Sequence, residues 1–127
     1  MAECSTSLAL SPLSKKPVTV ATDGGALTSD AGFLLLREID RELGLLPRLA
    51  ACLRDLRAPG KVEHTLEALL SQRVLSAVCG YEDANDATTL RRDPALKLAL
   101  EKSLTDPPLA SQSTLSRFEN RVTRHEC

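Results

Sequence analysis

A chain of 127 residues is long enough for one compact domain and short for two. Only 2% of it is aromatic against 43% apolar, so its core must be built from Leu, Val and Ala, which suits helix-on-helix packing and disfavours a sandwich or barrel. The net charge of −1, with seven basic and seven acidic residues in 1–60 and nine and ten in 61–127, excludes a strongly basic DNA-binding module, so any DNA contact must come from a local patch or from parts of a longer protein.

Residues 1–17 are rich in Ser, with Pro12, Pro17 and Lys15-Lys16, and are expected to be a disordered leader. Val18 to Thr22 is β-prone and runs into Asp23-Gly24-Gly25, a turn signal, with Ala26-Leu27 as the expected second strand of a short hairpin. Such a hairpin is marginal alone and needs something to pack on. Ser29 is the expected N-cap of a helix that carries Phe33, Leu36, Ile39 and Leu43 and stops at Gly44. Pro47 suits the first turn of the next helix, with Leu49, Ala50, Leu53 and Leu56, broken at Ala58-Pro59-Gly60.

The strongest helical pattern follows: Val62, Leu66, Leu69, Leu70, Val74, Ala77 and Val78 form one apolar stripe, closed by Gly80, with Arg73 off it. Asp83 to Asp86 reads as a turn or a short helical start. Pro94 opens a short helix with Leu96, Leu98 and Leu100 partly buried, and Thr105 to Pro108 is a stiff linker. Ser111 or Ser113 then caps a last helix containing Leu115, Phe118 and Val122.

None of the cysteines, Cys4, Cys52, Cys79 and Cys127, forms a C-x-x-C pair, and His64 and His125 lack zinc-finger spacing, so no zinc site is expected. Cys52 and Cys79 read as small buried hydrophobes. No apolar run nears the roughly 18 residues that span a bilayer, and the N-terminus lacks the basic-then-apolar order of a signal peptide. The expectation is a reduced cytoplasmic protein without a membrane partner.

Three features invite a chemical reading. Glu82, Asp83 and Asp86 offer carboxylates to a divalent cation, but Asp and Asn in a turn more simply cap backbone donors, with Arg91 and Arg92 near enough to pair with the acids. Asp23, before Gly-Gly, is explained by turn chemistry; one carboxylate cannot position two metal ions. Arg117, Arg121 and Arg124, four and three apart, share one face of the last helix, while Ser111, Ser113, Thr114 and Ser116 put hydroxyls at its start. That face either grips a DNA phosphate or is an ordinary solvated face with Glu119 balancing part of its charge. Ser, His and Cys are too scattered for a nucleophile–base pair.

Three strings add a lineage: Thr22 to Leu45 (TDGGALTSDAGFLLLREIDRELGL), Val62 to Pro94 (VEHTLEALLSQRVLSAVCGYEDANDATTLRRDP) and Leu109 to Asn120 (LASQSTLSRFEN). In order and spacing the chain resembles, over roughly Val18 to Arg124, the N-terminal region of bacterial insertion-sequence transposases of DDE group 1. The resemblance implies a full-length enzyme with a ribonuclease H-like catalytic domain, whose Asp-Asp-Glu set works with two magnesium ions. In the family those carboxylates follow the region that matches here, so no catalytic residue and no cofactor is carried onto this chain.

The expected fold is therefore mainly α, a small helical domain with a short N-terminal β-hairpin and without the catalytic core. Its expected organisation is 1–17 leader and 18–127 helical region, incomplete at the C-terminus. The last helix is cut without a stop signal, which favours truncation over a genuine short protein kept as an end binder or inhibitor. Expected partners are transposon-end DNA, through Arg91, Arg92, Arg117, Arg121 and Arg124, or a second copy or full-length transposase, through the Val62–Val78 stripe.

Overall fold

The computed structural model describes residues 7–21 and 30–121. It is mainly helical, with a two-stranded antiparallel hairpin first. Strands β1 (Ser7–Leu13) and β2 (Lys16–Ala21) pair from Ser7↔Ala21 to Leu10↔Val18, and the register shifts before Leu13↔Lys16. Ser14 and Lys15 make the turn, both at positive φ (45° and 73°), which matches the right-handed twist of the flanking strands.

The hairpin of the described residues lies upstream of the one expected. Val18–Ala21 is a strand, but its partner lies upstream, inside the segment expected as a disordered leader. The Ser and Pro content hid an alternation of Leu8, Leu10 and the buried Leu13; Pro12 is tolerated because a two-stranded ribbon has free edges. The turn expected at Asp23-Gly24-Gly25, the strand Ala26-Leu27 and the cap Ser29 lie outside the described residues. The hairpin finds its support on the first helix: Ser11 donates from its N and Oγ to Glu38 (3.2 and 2.7 Å), and its carbonyl accepts from Arg37 Nη1 at 3.0 Å.

Helix α1 (Gly32–Leu43) ends at Gly44, whose φ of 60° supplies the left-handed stop. Its buried face is Phe33, Leu34 and Arg37, while Ile39 and Leu43, expected inside, are exposed. The face turns because its centre is polar. Arg37 is buried with its guanidinium met by Glu101, Glu38 and the Ser11 carbonyl, an arrangement apolar periodicity does not register.

Helix α2 (Leu45–Ala51) has Pro47 in its first turn and buries Leu46 and Ala50. Asp40, on α1, accepts from Leu46 N at 2.8 Å and so fixes the corner. The helix stops well short of Leu56: Cys52 and Leu53 make tight bonds three residues back, and Leu49 and Leu56 face solvent. Cys52, expected buried, is exposed at the helix end, its thiol on the Arg48 carbonyl.

Helix α3 (Leu66–Val78) begins at Thr65, whose hydroxyl accepts from Ala68 N at 3.1 Å. It buries Leu69, Ser71, Gln72, Leu75 and Ser76, whereas Ala77 and Val78 are exposed and Val62 precedes the helix. Two apolar clusters share this helix. Leu75 belongs to one with Phe33, Leu46, Leu90, Leu96 and Leu109, and Leu69 to the other with Ala87, Ala110, Leu115 and Phe118.

The polar stretch after α3 is punctuation. Gly80 turns the chain at a φ of 95°. Tyr81 stacks on Phe33 with centroids 6.4 Å apart and donates its hydroxyl to Asp30 at 2.7 Å. Asp83 accepts from the backbone and side chain of Asn85, opening a one-turn 3-10 helix (Ala84–Asp86) and then α4 (Ala87–Leu90). Asp93 caps α5 (Pro94–Ala99) by accepting from Leu96 N at 2.9 Å, and Leu96 is wholly buried. Lys97 is buried too, its ammonium donating to the carbonyls of Leu104 and Asp106 and so shaping the loop expected as a linker. The last described helix is α6 (Gln112–Arg121), which buries Leu115 and Phe118; Val122 lies outside the described residues.

Candidate nucleic-acid interface

Helix α6 is held in place from behind. The amide of Gln72, deep in α3, donates to the Ala110 carbonyl and accepts from the Ala110 N–H, both at 3.0 Å. This pairs a side chain with a backbone as a strand would, and satisfies two buried groups just before the helix. Arg73, the next residue, pairs with Glu119 of α6 and donates to the carbonyls of Tyr81 and Glu82. With Leu115 and Phe118 packed inward, Arg117 and Arg121 are left exposed.

Arg117 and Arg121 open onto a cleft of about 540 Å³, walled by α6, by the start of α3 and by the segment from Leu53 to His64. Its floor is Leu53, Leu66, Leu69 and Phe118, and its rim carries Arg54, Arg57, Lys61, Arg117 and Arg121 against two carboxylates, Asp55 and Glu63. The segment keeps its shape through Arg57. Its Nε and Nη2 donate to the two oxygens of Asp55 at 2.7 and 2.6 Å, and its Nη1 to the His64 carbonyl at 2.8 Å. These hydrogen bonds hold Asp55 down at about 2, with a smaller pull from Arg121, and raise Arg57 further. So Arg57 and Asp55 neutralise each other, while Arg54, Lys61, Arg117 and Arg121 make no ion pair among the described residues. Glu119, which on the solvated-face alternative balances part of the arginine row, pairs with Arg73.

The other candidates lie elsewhere. Arg91 and Arg92 do not line the cleft, and neither pairs with Glu82, Asp83 or Asp86 among the described residues. Arg73 donates to the backbone carbonyl of Glu82, not its carboxylate, and Asp83 is engaged by Asn85, whose hydrogen bonds lower its pKa. Arg92 is exposed; Arg91 has a buried Nε with no acceptor among the described residues, and its carbonyl accepts from Leu109 N. Arg124 lies outside the described residues. Sequence reasoning passes over Arg54 and Lys61 because more than fifty positions separate them from α6. The only signal is three cations, Arg54, Arg57 and Lys61, at spacings of three and four around a helix break.

A family model described as transposase DDE domain group 1 matches residues 10–127. The chain belongs to this family. No curated protein and no solved structure matches it. A DDE transposase acts on DNA. The family's chemistry also uses divalent metal ions. Among the described residues no three His, Cys, Asp or Glu side chains converge, and Asp83 accepts from the backbone of Asn85 as a cap. No helix among the described residues is long and apolar enough to cross a membrane.

Proposed function

We propose that this chain acts in DNA transposition by gripping the phosphates of transposon-end DNA, with strand cleavage left to carboxylates it does not itself carry. The observation behind this reading is the convergence of Arg117 and Arg121 with Arg54 and Lys61 on one cleft, free of ion pairs among the described residues. Arg91 and Arg92, outside it, stand as further phosphate contacts, as does Arg124 beyond the described residues. The near-neutral total charge fits a local grip rather than tight wrapping.

Fluorescence anisotropy with labelled terminal-repeat duplexes tests it. Arg117→Ala with Arg121→Ala is expected to weaken binding about equally for all sequences, because phosphates position a protein without reading bases. Affinity unchanged by the double substitution removes α6 from the interface.

A second reading, association with another copy or with full-length transposase, is favoured by a different surface from the one expected. The Val62–Val78 stripe is largely used internally, since Leu66, Leu69, Leu70 and Val74 pack within the chain. Leu35, Ile39 and Leu43 instead form an exposed row along α1, with Leu45 and Leu49 beyond the corner. Sedimentation of the wild type and of Ile39→Glu distinguishes self-association, abolished in the variant, from a monomer.

A further inference from the structure

The cleft has more than charge. Leu56 stands at its edge with 85% of its surface exposed, an unusual position for a large apolar side chain, and Leu53 and Phe118 continue the apolar surface inward. Arg54, Arg117 and Arg121 surround it. A duplex keeps its bases paired and stacked inside and offers such a cleft only its backbone. An unpaired nucleotide offers an apolar base face and a phosphate together, the same combination as this lining. The volume of about 540 Å³ lies within the roughly 300–1,000 Å³ of small-ligand sites.

We infer that the cleft seats an unpaired nucleotide at a DNA end, its base against Leu53, Leu56 and Phe118 and its phosphate on Arg54, Arg117 and Arg121. This rests on the phosphate-gripping reading and adds an apolar seat for the base. The charge of the rim favours this occupant over an apolar peptide, which would leave the arginines unanswered.

The test uses the full chain and three labelled duplexes of one sequence at one salt concentration: blunt, with a short 3′ single-stranded tail, and with the same tail made abasic. The abasic tail keeps the phosphates and removes the bases. The tailed duplex is expected to bind about tenfold tighter than the abasic one. In Leu56→Ser, which is exposed and leaves the core intact, that ratio is expected to fall to about one. Equal binding of the two tails with duplex binding intact overturns the base seat and leaves the phosphate reading standing. A ratio that persists in Leu56→Ser places the base elsewhere and overturns it as well. Failure to bind any DNA probe, or preference for a Leu- and Glu-rich peptide over all of them, overturns both readings.

Discussion

Gln72 performs no chemistry, yet among the described residues its amide is the partner of both the N–H and the carbonyl of Ala110, with all of these groups buried. Gln72→Ala is expected to leave two buried backbone groups unpaired, at about 1–3 kcal/mol each, and to lower stability by about 2–6 kcal/mol in urea unfolding. Gln72→Glu would place a carboxylate against the Ala110 carbonyl and is expected to be no milder. Asp55 supplies a prediction in pH. Arg57 holds its carboxyl at about 2, below the ordinary value of about 3.9, so the folded chain prefers the ionised form. The stabilisation is complete above about pH 4 and disappears as pH falls through about 2. A carboxyl-carbon NMR titration should give Asp55 a midpoint near 2 in the wild type and an ordinary one in Arg57→Ala.

Among the elements, termini are far more legible in the sequence than faces. Gly44, Gly80 and Pro94 mark boundaries because φ > 0 or a missing N–H is a local property, readable without knowing the fold. Which side of a helix goes inside is not local. On α1 the side is set by Arg37, buried because Glu101, sixty-four residues on, meets its guanidinium. On α3 it is set by Gln72, Ser71 and Ser76, polar residues that an apolar pattern assigns to solvent. The hairpin shows the same limit: a Gly-Gly signal outweighs, on sequence grounds, a turn built from Ser14 and Lys15. Two caps can be tested separately. Thr65→Ala and Asp93→Ala should each cost about 1 kcal/mol, with additive effects, since they serve different helices. Leu96→Ala, which empties a wholly buried position, should cost about 2–5 kcal/mol.

For the molecule as a whole, the signature strings take on a physical meaning. Tyr81, Asp83 and Asp93 stack, turn and cap, and Gln72 and Arg73 fasten α6 across the second apolar cluster. Half of the candidate site is legible in the sequence: helical spacing alone puts Arg117 and Arg121 on one face. The other half, Arg54, Lys61 and the apolar floor, exists only once α3 brings the helix break beside α6. Membership of the DDE group 1 transposases makes DNA the ligand to test there. The most direct measurement is the salt dependence of binding to a transposon-end duplex. Removing one phosphate-gripping cation should flatten the plot of log affinity against log salt by about one. Arg117→Ala and Arg121→Ala together should therefore flatten it by about two, whereas a slope equal to that of the wild type would contradict a phosphate grip at this cleft.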